Sequence, residues 1–282
     1  VSDTGPGARA TPPLGYALVA YVAALGLVNS ASTLLVLGVA VARSSGDRAR
    51  LPEEAANFAL SAHGMMSVAL INATILVVVA LLAARPRSEN LATRLRLGPT
   101  AASPLGIAAA IAAMIGLSIA CGSASELLGI RETGVMDRVA RALERPTPTG
   151  FVLALVSIGL APGLAEETFF RGLLQPWLSA RWRRWPSIVA TSVGFGVMHG
   201  DPVQGSLTFI AGLLLGWTAE RLGGVRPTIA AHAVNNTAFV VLSSVGSTEP
   251  GDARARVALL VAGAASCAAS VAVLRSRMAT RA

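Results

Sequence analysis

"FVLALVSIGLAPGLAEETFFRGLLQPWL", residues 151–178, is long and apolar enough to cross a bilayer, yet it carries Glu166, Glu167 and Arg171 near its centre. A hydrocarbon core about 30 Å thick is spanned by about 20 apolar residues of α-helix. Ionisable side chains at that depth are costly and are kept where they act. The stretch therefore reads as a membrane helix with chemistry inside it.

The rest of the chain supports the same class. It is 53% hydrophobic and 13% charged, with a mean hydropathy of +0.62, far from an ordinary soluble domain. Apolar runs recur at about 14–42, 55–84, 102–122, 150–177, 186–200, 204–221, 227–246 and 255–275. They predict an all-α fold, a polytopic membrane helix bundle of about eight transmembrane helices. The opening run is far longer than the roughly 7–15 residues of a signal-peptide core, so the first span is expected to follow a short tail. Cys121 and Cys267 stand alone in apolar spans and read as small packing residues.

The net charge of +8 does not indicate nucleic-acid binding. The arginines cluster between the spans, where they orient loops and meet anionic headgroups, so the lipid bilayer is their partner. Every basic side chain is Arg, which together with heavy Ala use reads as coding bias. With the N-terminus inside, the inner segments hold 13 arginines and the outer ones 9. That bias predicts a plasma-membrane protein with both termini cytoplasmic. The longest connection, about 123–149, places Val135, Val139 and Leu143 at helical spacing and predicts a short helix on the membrane surface or in a solvated loop. Three regions follow: residues 1–149 with the first helices and this connection, a core at 150–246, and a last helix with its tail at 247–282.

Polar residues concentrate in the core region. Glu167 and Arg171 are four apart with the acid first, the favourable order for an intrahelical pair. Glu166 points about 100° away and is free to face the bundle interior. Pro162 and Gly163, one turn earlier, should kink or loosen the helix. Phe195 and His199 share a face of the next span, and His232 and Asn236 share a face of a later one. Asn235 lies on another face and suits a helix–helix hydrogen bond. His63, isolated in "SAHGMMS", reads as a packing residue. A carboxylate, two imidazoles and an amide on three spans can activate water and stabilise an oxyanion.

These residues resemble the CAAX-processing and bacteriocin-processing (CPBP, or Abi) intramembrane proteases, which include CAAX prenyl protease 2-like proteins. The family pattern EExxxR, FxxxH and HxxxN reads here as Glu166–Glu167…Arg171, Phe195…His199 and His232…Asn236. The resemblance covers about residues 150–240. It implies that Glu166 and His199 activate the attacking water, that His232 and Asn236 stabilise the oxyanion, and that Glu167 and Arg171 form a supporting pair. It also implies a peptide or protein substrate cleaved at the membrane. Eukaryotic members act on prenylated proteins; bacterial members include self-immunity and regulatory proteins, and this composition suggests a bacterium.

No cofactor is expected, because no HExxH helix is present and Asn236 is a poor zinc ligand. Zinc held by Glu166, His199 and His232 is the alternative. A catalytically silent scaffold or immunity protein and a transporter or proton relay are the competing functions; the transporter should show paired interrupted helices, and none is apparent. One feature strains the picture. Glu166 and His199 lie about 22 Å along their helices from an inner arginine, whereas His232 lies about 9 Å from Arg226. Tilting of the helices would relieve part of this, and the rest would require "GGVRP" (223–227) to dip inward and line a polar cavity.

Overall fold

The computed structural model describes residues 14–85, 90–100, 102–130, 135–246 and 252–276. Both termini, and with them the expectation about their side of the membrane, lie outside the described residues. Among those residues the helices are α1 (Leu14–Ser44), α2 (Leu51–Ala59), α3 (Ala62–Ala83), α4 (Leu91–Arg94), α5 (Pro104–Leu127), α6 (Val135–Ala142), α7 (Pro148–Ser179), α8 (Arg184–Met198), α9 (Pro202–Leu222), α10 (Arg226–Ser244) and α11 (Ala253–Ser276). A single-turn 3-10 helix at Arg48–Arg50 leads into α2. The protein is an all-α membrane bundle. Five helices, α1, α3, α5, α7 and α11, are long and apolar enough to cross a membrane. α8, with 15 residues, reaches only about 22 Å.

Several helices start by the same local device. Ser103–Pro104, Thr147–Pro148 and Asp201–Pro202 each place an oxygen-bearing cap before a proline, and the cap accepts from the backbone N–H three residues on. Proline costs nothing there, since the first-turn N–H groups lack helical partners. Ser61 caps in the same way, its Oγ accepting from Gly64 N at 3.1 Å. That cap divides the apolar run expected as one span at 55–84 into α2 and α3.

α7 loosens around Pro162. It does so by widening. Leu155–Leu160 and Thr168–Leu174 are π-helical, and each ends two residues before a proline, Pro162 and Pro176. A proline ring clashes with the carbonyl four residues back, and a wider turn removes the clash without breaking the helix. The N–H of Ala161 reaches Val156 O, and that of Gln175 reaches Phe170 O, each five residues back.

In a membrane, helices associate by close packing and hydrogen bonds more than by water exclusion. α7 meets α10 through Gly159 and Gly163: a Cβ on Gly163 would lie 2.8 Å from Ala233 N, and one on Gly159 would lie 2.9 Å from Thr237 Oγ1. Phe169, Phe170 and Leu173 of α7 pack with Phe195 of α8, an alanine stripe on α1 (Ala17, Ala20, Ala24) and Leu76 of α3. The opposite face of α1 exposes Leu18, Val22, Leu34 and Val41, as a lipid-facing helix does.

The short helix α6 forms where its spacing predicts. Its apolar stripe turns onto the protein: Val139 and Leu143 pack with Met66, Phe151, Phe239 and Val240. Protein packing thus takes the face that a membrane-surface reading assigns to lipid.

The turn before α10 is largely buried against other parts of the protein. Val225 and Thr228 are fully buried. The segment after α4 lies against it: Val225 N donates to Arg96 O at 3.2 Å and Arg226 Nε to Leu97 O at 2.6 Å. Arg96 adopts a left-handed φ of 55° and sends its guanidinium to Glu220 at 2.8 Å and to Ala219 O at 3.0 Å. Leu95, wholly buried, sits over Gly172, whose Cβ would lie 2.6 Å from Leu95 O. The segment after α4 therefore covers the start of α10.

Candidate active site

The site is assembled from α7, α8 and α10. The α-helical segment Ala161–Glu167, between the two π turns, presents both glutamates. Glu167 pairs with Arg171 at 2.8 Å, with both side chains fully buried. The guanidinium is held further by Gly212 O of α9 at 3.3 Å. It also lies over the Phe195 ring at 4.6 Å and the Phe170 ring at 5.7 Å. Cation–π contacts of this kind satisfy a desolvated guanidinium where no water can. The sequence expectation of an intrahelical pair holds.

Glu166 is apart from the arginine, and its side chain remains 19% exposed. Its nearest charged-group neighbour across the helices is His232: Glu166 Oε2 is 3.8 Å from Nε2. The same imidazole is 3.1 Å from Glu167 Oε1 through Nδ1. His232, nearly buried on α10, therefore sits between the two glutamates. The i,i+4 rule links Glu167 to Arg171 but cannot reveal a partner 65 residues away.

His199 lies at the C-terminal end of α8, where the chain turns at Gly200 (φ 68°) into the Asp201 cap of α9. Its Nδ1 is 2.8 Å from Phe195 O and 3.4 Å from Thr208 Oγ1. The ring of Phe195 meets both imidazoles edge-on, His199 at 4.9 Å and His232 at 6.0 Å between centroids. Phe195 is thus the packing element between the two histidines, fully buried itself. Asn236 lies one turn beyond His232 on α10 and is half-buried. Its Oδ1 is 3.4 Å from Asn235 Nδ2, so Asn235 contacts its own neighbour.

Contacts therefore link Glu166, Glu167, Arg171, Phe195, His199 and His232 in one continuous set, with Asn236 on the same helix as His232. Exposed His63, in the first turn of α3, has no place in these contacts. Two contributors escape a sequence reading. Thr208 beside His199 is one threonine among many in apolar helices, and the Gly212 carbonyl carries no side-chain signal. Among the described residues, no three His, Cys, Asp or Glu side chains are grouped to hold a metal ion. The set Glu166, His199 and His232 does not form such a group. His232 has a carboxylate oxygen opposite each ring nitrogen, Glu167 at 3.1 Å from Nδ1 and Glu166 at 3.8 Å from Nε2.

Among known families, residues 148–238 match the model described as type II CAAX prenyl endopeptidase, Rce1-like. No curated protein and no solved structure matches the chain.

Proposed function

We propose that this chain, whose residues 148–238 match the model of the Rce1-like type II CAAX prenyl endopeptidases, is an intramembrane endopeptidase cleaving a protein or peptide substrate at the membrane. The observation that carries this reading is one of coincidence. The matched segment contains all seven residues Glu166, Glu167, Arg171, Phe195, His199, His232 and Asn236, and six of them touch in a chain of contacts across three helices.

In the proposed reaction Glu166, partly exposed, takes a proton from water, with His199 as the second basic group orienting it. The hydroxide adds to the scissile carbonyl. His232 and Asn236 lie along one face of α10 and donate to the oxyanion. The Glu167–Arg171 pair holds the helix and the imidazole in place. Water is the only co-substrate, and no resident cofactor enters this scheme. A plasma-membrane location with cytoplasmic termini belongs to the same proposal.

The test is cleavage of a quenched peptide library by the purified protein in detergent. Hydrolysis should be lost in Glu166→Ala. A folded wild type that cleaves no peptide, including lipidated ones, points instead to a silent scaffold or immunity protein of this fold.

A further inference from the structure

We infer that Glu167 is a positioning residue that holds the proton of His232 on Nδ1 and leaves Nε2 as the working atom facing Glu166. The inference deepens the endopeptidase reading and rests on it for its catalytic consequence, though not for the tautomer itself.

The argument starts from the buried ion pair. Glu167 Oε1 receives Arg171 Nη1 at 2.8 Å with both groups fully enclosed. A carboxylate bonded to a guanidinium is ionised, and an ionised carboxylate only accepts hydrogen bonds. Nδ1 of His232 lies 3.1 Å from that same oxygen, so the ring nitrogen must be the donor. A neutral imidazole carries one N–H. With that proton on Nδ1, Nε2 is a lone pair, and it faces Glu166 Oε2 at 3.8 Å. His199 follows the same logic with a different partner. Its Nδ1 is 2.8 Å from the carbonyl of Phe195, another pure acceptor. Both rings are thus fixed through Nδ1, one by a neutral carbonyl and one by a carboxylate, with the Phe195 ring between them.

The difference in partner matters for the reaction. A bare Nε2 cannot donate to an oxyanion; it must first accept a proton. The proton that Glu166 removes from water resides 3.8 Å from His232 Nε2. Passing it across, through one bridging water or by closing the gap to hydrogen-bond reach, regenerates the Glu166 carboxylate and makes an imidazolium held by Glu167. That Nε2–H then serves the oxyanion and goes to the leaving nitrogen as the C–N bond breaks. One O–H bond of water is broken, a C–O bond forms, and the proton ends on the amine, so no further reactant is required. The charged and titratable groups facing His232 are Glu166, Glu167 and Arg171 of α7 and, across Phe195, His199 of α8. Asn235 and Asn236 on its own helix are neutral. α9 contributes the Gly212 carbonyl to Arg171.

The chain has three histidines, so the ring nitrogens can be read directly by NMR of the full-length protein labelled with 15N-histidine in detergent. The His232 signals are assigned by their loss in His232→Gln. The neutral wild-type ring should show a protonated Nδ1 and a bare Nε2; a bare Nδ1 with the proton on Nε2 overturns the inference. In Glu167→Gln the side-chain amide can face Nδ1 with either oxygen or nitrogen. The second tautomer should then appear, and kcat should fall by about 10²–10³ with KM little changed, within the usual range for a displaced acid–base group. Glu167→Asp retains the carboxylate and should keep the Nδ1–H form and recover part of kcat. An unaltered tautomer in Glu167→Gln, with activity lost only in step with folded protein, would mark the contact as purely structural and also overturn the inference. Should Glu167→Gln fail to fold, the wild-type and Glu167→Asp spectra still decide the tautomer. A wild type with the Nδ1–H form that hydrolyses no peptide sinks the protease reading and leaves the positioning role standing.

Discussion

Replacing Arg171 by alanine is the most informative single perturbation of stability. The change removes the 2.8 Å ion pair to Glu167, the bond to Gly212 O and the cation–π contact with Phe195. It strands a fully buried carboxylate. Removing one partner of a buried pair typically costs about 3–5 kcal/mol. Here His232 remains 3.1 Å from Glu167 and can compensate part of the charge, which places the loss near the lower end. About 3 kcal/mol corresponds to a fall in Tm of roughly 6–10 °C on the scale of globular chains of comparable length. Glu166→Ala should behave differently. Glu166 keeps 19% exposure and its nearest charged partner is 3.8 Å away, so its removal should cost at most about 1 kcal/mol. Cys121 and Cys267 are free and only partly exposed, so a thiol-reactive dye reports unfolding of each variant in detergent without an added probe. The double change Glu167→Gln with Arg171→Met should recover much of the lost stability, since a neutral replacement of a buried pair is often tolerated. Tolerance is favoured here because, among the described residues, Arg171 Nε has no hydrogen-bond partner. Equal melting temperatures for Arg171→Ala and Glu166→Ala would refute the assignment of the pair to structure.

Four further outcomes are expected. Glu166→Gln should abolish peptide hydrolysis with an unchanged melting curve, and extended dialysis against EDTA or phenanthroline should leave wild-type activity intact; activity lost on chelation and restored by zinc would contradict the metal-free scheme. Asn236→Ala should lower kcat by about 10²–10³, the usual loss for one oxyanion donor, measured under saturating substrate. Gly163→Val should impair assembly of the bundle, because even a Cβ there would lie 2.8 Å from the backbone of Ala233; normal yield and melting of that variant would show that α7 and α10 can separate at no cost.

Much of the architecture is legible in the sequence because lipid imposes a simple rule on it. Each long helix falls within a few residues of an apolar run, and the capping Ser, Thr or Asp before proline marks where several of them begin. The division of residues 51–83 is not legible. Ser61 sits inside the run read as one span, and its Oγ bond to Gly64 reveals the new start. α6 shows the opposite limit. Its stripe of Val139 and Leu143 suits lipid or protein equally, and which one it meets depends on Met66 and Val240, far away in the chain. Within the site, spacing identifies the Glu167–Arg171 pair because both ends lie on one helix. It assigns Glu167 to the arginine alone. The additional bond to His232 depends on how deeply α10 begins, which is set by the Arg96–Leu97 backbone under Val225 and Arg226.

The two π turns of α7 change how that helix can vary. Each turn in which the N–H reaches five residues back, not four, inserts one extra residue, and one residue is about 100° of rotation on an α-helix. Ala161–Glu167 therefore has an angular setting independent of the helix on either side. The glutamates can be aimed at His232 while the lipid-facing surface before Leu155 and the aromatic packing after Thr168 are satisfied separately. Loss of a single residue between Leu155 and Leu160 would let that turn revert to α and leave the chain's length almost unchanged. It would also turn Gly159 or Gly163 out of its contact with α10, or turn Glu166 and Glu167 away from the imidazole. A one-residue deletion, harmless in a loop, would here disconnect packing from chemistry.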